Sequence, residues 1–208
     1  MKRILSLLLP GLLAAVTLFA QTPEEILARM DQETQRFDPE GFSMVMEIRV
    51  PLLGAIATTI YTRGDKYKMI TSKDGDIEID WSDGQTDWKY ESKKNEVTIE
   101  TKAPGATSDA ENNTKMLDSV TEGYDVRLRK ETADTWQFRC TKSKTNPNKD
   151  DPKTMDLEIS KATYLPVCLK ASAGGVTVSL RDFAIGVSEQ EVTFDASQYA
   201  SAHINDKR

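Results

Sequence analysis

From Phe42 onward, apolar and polar residues interleave with a period of two, the spacing of a strand buried on one face. Phe42, Met44, Met46, Ile48 and Val50 interleave with Ser43, Val45, Glu47 and Arg49. A Thr- and Ile-rich run covers residues 56–63, and Tyr67, Met69 and Thr71 then stand against Lys66, Lys68 and Ile70. Ile77/Ile79/Trp81, Trp88/Tyr90 and Val97/Ile99 keep the rhythm. Gly64-Asp65, Asp74-Gly75, Asp83-Gly84 and residues 93–95 punctuate it with turn chemistry. Residues 103–111, rich in Pro, Gly, Ser and Asp, interrupt the meander; Met116, Leu117 and Val120 then fall at helical spacing. Strands resume at Tyr124/Val126/Leu128, at Trp136/Phe138/Cys140, and over residues 155–160, 165–170 and 176–183. A charged loop over residues 142–153 lies among them. Runs at roughly 8–12-residue spacing, about eleven in all, predict a curled antiparallel sheet or barrel.

One helix precedes the strands. Thr22-Pro23-Glu24-Glu25 reads as its start, with Thr22 as cap, Pro23 in the first turn and Glu25 closing a capping box. Ile26, Leu27, Met30, Thr34 and Phe37 form one stripe, and Asp38-Pro39-Glu40-Gly41 ends it. Ahead of this, Lys2 and Arg3 precede an apolar run over residues 4–20. That run is short for a bilayer span, so residues 1–20 read as an export signal cut near Ala20, with an uncleaved anchor as the alternative. The expected unit is then residues 21–208, one domain in the bacterial periplasm, monomeric and soluble.

Composition narrows the chemistry. The 208 residues carry a formal charge of −6, which becomes −8 without Lys2 and Arg3. A pI near 5.0 argues against nucleic acid as a partner. One His and two Cys are too few for a structural zinc site, and no metal or cofactor is expected. Export makes Cys140 and Cys168 candidates for a disulfide. They fall out of phase on their strands, so a bridge requires a bulge, which Pro166 would mark; two unpaired small hydrophobes are the other reading.

His203 is the sole histidine available to a nucleophile, but no Gly-x-Ser-x-Gly elbow accompanies it, and its place near the end suits a solvated tail. Asp76, Glu78 and Asp80 alternate on a strand as a cation site or acid/base pair would, or as the wet side of a sheet backed by Ile77, Ile79 and Trp81. Neither a P-loop nor a dinucleotide fingerprint occurs, and no enzymatic activity is expected. The positive signal is surplus apolar surface. A sheet this large encloses more volume than short side chains fill. Met44, Met46, Tyr67, Met69, Trp81 and Trp88 are its candidate lining, and two amphipathic segments are available to cover a ligand or to plug the space.

Asp80-Trp81-Ser82-Asp83-Gly84-Gln85-Thr86-Asp87-Trp88-Lys89-Tyr90, followed by Asn95-Glu96-Val97-Thr98-Ile99, resembles the LolA-type periplasmic lipoprotein carriers. Residues 61–69 look like that family's strand and Arg-Pro-x-x-aromatic segment, with Gly64 where Pro is usual. Residues 176–183 and Val192-Thr193-Phe194-Asp195 are similar to its closing strand and Phe-x-Phe end, reduced here to Phe194. The resemblance implies an unclosed antiparallel β-barrel of about eleven strands, covered by short helices over an apolar cavity. It implies a carrier chaperone that takes acylated lipoproteins from an inner-membrane lipoprotein-releasing transporter to an outer-membrane acceptor. It makes Arg63 the latch that holds the lid, the plain alternative being a surface charge at a sheet edge, and Tyr67 the cavity aromatic. Lid helices would present Ile26, Leu27, Met30 and Phe37, and Met116, Leu117 and Val120. A related lipid-binding or lipoprotein-sensing barrel, or a structural module of the envelope with a filled core, remain as alternatives.

Overall fold

The structure, a computed structural model, describes residues 21–102, 120–149 and 151–208. Helix α1 (Pro23–Thr34) begins with the expected capping box: the Thr22 hydroxyl accepts from the Glu25 amide at 3.2 Å and the Glu25 carboxylate accepts from the Thr22 amide at 2.9 Å. The stripe breaks after Thr34, and Phe37 opens a separate turn, α2 (Phe37–Glu40). Gly41 follows at φ 74°, a left-handed conformation open to a residue without Cβ. A Cβ there would also sit 2.8 Å from the Thr62 carbonyl oxygen. The chain therefore turns tightly from helix into sheet.

The strands are β1 (Phe42–Val50), β2 (Gly54–Arg63), β3 (Lys66–Lys73), β4 (Asp76–Ser82), β5 (Thr86–Glu91) and β6 (Glu96–Thr101). After them come β7 (Tyr124–Glu131), β8 (Thr135–Lys142), β9 (Thr154–Ser160), β10 (Pro166–Ala173) and β11 (Val176–Ile185). All eleven expected runs are strands. A short helix α3 (Glu189–Val192), a 3₁₀ turn (Ala196–Tyr199) and a twelfth strand, β12 (His203–Asp206), complete the chain. The one sheet runs β12-β6-β5-β4-β3-β2-β1-β11-β10-β9-β8-β7. Every pairing is antiparallel except β12 with β6. The end strands β7 and β12 are neighbours only of β8 and β6, so the barrel is unclosed. His203 thus belongs to an edge strand and not to a loose tail.

Residues directly opposite in neighbouring strands point to the same face. One such row can be followed through eleven strands: Leu128, Phe138, Leu157, Leu169, Leu180, Met46, Thr58, Thr71, Glu78, Glu91 and Glu96. It passes from hydrocarbon on β7–β11 and β1, through hydroxyls on β2 and β3, to carboxylates on β4–β6. This is the inner face, because Ile26 and Met30 of α1 and Phe37 of α2 join its apolar half in the main core.

Candidate functional site

The apolar half of the inner face is the candidate site. Phe42, Met44 and Ile60 are wholly buried there, under Ile26, Met30 and Phe37. Phe37 stacks on Phe42 at 4.5 Å between ring centroids. The space directly beneath α1 is thus filled by the protein's own side chains. Toward the β1–β2 turn the cover thins: Met46, Met69 and Val178 are half buried, and Ile56 is exposed. Leu27 is half buried on the flank of α1. On the other side of α1, a cleft of about 660 Å³ lies between Arg29, Gln32 and Glu33 of the helix, Arg36 beyond its end, Tyr164 and Leu165 of the β9–β10 connection, and Ile185 of β11.

Met44, Met46, Tyr67 and Met69 share the inner face, as the alternation requires. Trp81 and Trp88 do not, and this corrects the lining expected from sequence. Tyr67 pairs with Ser82, so Trp81 pairs with Lys68 and both point outward. Trp81 packs edge-on against Phe194 at 5.3 Å and Tyr199 at 5.5 Å, and Trp88 stacks on Phe194 at 5.4 Å. The C-terminal segment crosses the outer face, with α3 against β2 and β3 and with Phe194 and Tyr199 against β4 and β5, and Val97 and Val192 are both buried. Phe194 is at the centre of this crossing, in ring contact with Trp81, Trp88 and Tyr199.

The acidic stripe also has a place that alternation alone did not reveal. Glu78 and Asp80 lie on the inner face beside Lys89, whose ammonium pairs with Glu78. Burial lowers the Lys89 pKa, but its hydrogen bond to Glu78 and the charges of Asp80, Glu78 and Glu91 outweigh that and raise it overall. Tyr67, Asp87, Glu96 and Glu100 also border this polar pocket of about 370 Å³. Among the described residues, no group of His, Cys, Asp or Glu is placed to hold a metal ion.

Arg63 occupies a junction. One guanidinium nitrogen donates to the carbonyl of Glu40 at 2.8 Å and to that of Val187 at 2.7 Å, tying the end of α2 to the start of the C-terminal segment. The Gly186 amide bonds the Gly41 carbonyl across the same junction at 2.9 Å. Glu189, 3.8 Å from Arg63, pairs more closely with Lys66. These are not the bonds of a plain edge charge.

Cys140 and Cys168 are both free, which corrects the proposed bridge. The bulge is present between Pro166 and Cys168 but does not turn Cys168 inward. Cys140 is buried in the main core, whereas Cys168 pairs with Glu158 on the opposite face, two strands away. Two strand spacings come to about 9.5 Å, beyond what a disulfide spans. Of the second lid segment, Met116 and Leu117 lie outside the described residues, and Val120 sits in a turn against the main core. The expected signal at residues 1–20 also lies outside them. Among the described residues, no helix is long and apolar enough to cross a membrane.

No protein-family model matches the chain, and no curated protein does. Among solved structures it is similar to an uncharacterized conserved protein from Thermus thermophilus, with 14% identity over 90% of this chain and 100% of that one, at a TM-score of 0.47. It is similar to LprF from Mycobacterium bovis, with 8% identity over 80% and 95% of the two chains and a TM-score of 0.48. A LolA superfamily protein from Nitrosomonas europaea overlaps at 13% identity, 85% and 99% coverage and a TM-score of 0.32. Likenesses this loose say nothing of ligand or activity. The chain's own sheet is an open antiparallel barrel with helices against its inner face.

Proposed function

We propose that this chain is an envelope protein that binds the acyl chains of lipoproteins on its inner face, without catalysis. In this reading it works in the periplasm, receiving its cargo from a releasing transporter in the inner membrane and delivering it to an acceptor in the outer membrane. One observation carries it: the inner face is apolar from β7 round to β1, yet its described cover is one amphipathic helix and one further turn, held down chiefly by Ile26, Met30 and Phe37. Each methylene withdrawn from water is worth about 0.8 kcal/mol, and a buried Ile or Met side chain about 1.5–3 kcal/mol. A chain of about eight methylenes therefore offsets the displacement of both α1 side chains. The helix acts as an occupant that cargo replaces. Arg63 is the latch in this scheme, because its two carbonyl partners sit at the end of α2 and on the C-terminal segment.

Titration of the protein with a fluorescent fatty acid tests this. Saturable binding is expected, and its absence would favour a second reading, a structural module with a permanent core, which the solid packing of Ile26, Met30, Phe42 and Met44 supports. Mass spectrometry of protein purified from membrane extracts should find co-purifying acylated proteins. Arg63→Leu should bind cargo and release it to an acceptor poorly; transfer at the wild-type rate would refute the latch.

A further inference from the structure

The β1–β2 connection is the most exposed apolar feature among the described residues. Leu52 and Leu53 are 106% and 83% exposed, whereas Phe42, Met44 and Ile60 of the strands on either side are wholly buried. The turn closes with the Leu53 amide donating to the Val50 carbonyl at 3.2 Å. Pro51 and Leu52 are its central residues, and Leu52 takes φ 66°. Proline followed by a left-handed residue is the type II pattern, and the second place is one for Gly or Asn. A leucine there costs stability twice, through its backbone and through its bare side chain. Neither cost serves the fold. On the flank, Pro51 lies against the β10–β11 turn, where a Cβ on Gly175 would be 3.5 Å from its ring. The tip is braced from one side.

What surrounds the tip indicates its partner. The β3–β4, β5–β6, β8–β9 and β10–β11 connections lie at this same end of the barrel. They carry Lys73, Lys93, Lys94, Lys144, Lys149 and Lys153, along with Asp74 and Asp151; Lys93 pairs with Asp76 at 3.9 Å and Lys94 with Glu91 at 2.7 Å, and among the described residues the other four lysines have no ion pair. A convex apolar tip among lysines is the wrong shape to receive a side chain from another protein. It suits a medium that needs no preformed pocket and carries anionic groups at its surface.

We propose that this hairpin tip is a membrane contact: Leu52 and Leu53 enter the acyl layer of an anionic phospholipid bilayer while the lysines at this end meet its phosphates. The assignment goes beyond the reading of the inner face and does not rest on what that face holds. Flotation of the full chain with vesicles of phosphatidylethanolamine and phosphatidylglycerol tests it. Wild type should float with the vesicles, and more weakly as salt rises. L52E/L53E should lose binding on the order of a hundredfold, as expected for withdrawing two leucines from hydrocarbon. Both side chains are bare, so the variant should melt as wild type does. In Leu53→Trp, the added indole emission should shift to the blue and be quenched by brominated lipid. Equal flotation of wild type and L52E/L53E, or flotation of neither, would overturn the proposal. So would a wild-type dimer in lipid-free buffer that L52E/L53E abolishes without any vesicle binding, because the tip would then be meeting a second copy. Fatty-acid uptake in lipid-free buffer should be equal in the two proteins; failure of uptake counts against the inner-face reading alone, and flotation still decides this one.

Discussion

Arg63 satisfies two main-chain carbonyls from one nitrogen, one at the last residue of α2 and one just past β11. A charged donor to a partly buried carbonyl is worth about 1.5–3 kcal/mol when desolvated, and solvent at this junction reduces it. Arg63→Leu should therefore cost about 2 kcal/mol, read as a lower urea midpoint with an unchanged slope. The cysteines give a sharper test of the register. Burial pushes the Cys140 thiol up to about 11, with the charge of Asp156 adding to it and Arg139 opposing. In the unfolded chain a thiol titrates near about 8.5. The folded pKa is the higher one, so this contribution to stability is intact below the unfolded value and is lost as pH rises toward about 11. Native protein should alkylate at Cys168 before Cys140, and denatured, unreduced protein should take up label at both. Any population in which neither labels would mean a bridge and a different register.

The strands were legible because hairpins with Asp-Gly and Gly-Gly turns separate runs of clean alternation. Which face each strand presents was harder to read. Trp81 and Trp88 looked like cavity residues because they are large and apolar, but the two-residue turn Asp74-Gly75 makes Tyr67 pair with Ser82 and sends Trp81 outward. That parity was countable from the sequence. The cover on the outer face was not, because it comes from a segment more than a hundred residues further on, whose short α3, 3₁₀ turn and four-residue β12 are too brief for periodicity to mark. Phe194 holds that cover through its contacts with both tryptophans. Phe194→Ala should cost about 3 kcal/mol and change the near-ultraviolet dichroism. The face assignment itself predicts a pattern of quenching. A brominated fatty acid should quench Trp136, which lies on the inner face, and leave Trp81 and Trp88 bright. Quenching that survives Trp136→Phe and disappears in a Trp81→Phe/Trp88→Phe variant would place the acyl site on the wrong side of the sheet.

Taken as one object, the barrel divides its inner face between hydrocarbon and charge, and α1 sits on the hydrocarbon half alone. If the proposed acyl cargo binds this face, helix and cargo compete for the same surface, and stability and affinity should move in opposite directions. Met30 is wholly buried in the main core. Met30→Ala removes part of the helix's hold and leaves a void, at a cost of about 2–5 kcal/mol in stability. If an acyl chain occupies that same space, the void is room the ligand no longer has to clear, and fatty acid should bind more tightly by about tenfold or more, because a part of the displacement cost has already been met by the mutation. A core that merely supports the fold responds differently: Met30→Ala lowers the melting temperature and no saturable binding appears. Ile26→Ala, one turn earlier on the same stripe, should repeat the opposite movement of stability and affinity. A stability loss in both variants with affinity unchanged would show that the helix and the ligand do not share a site.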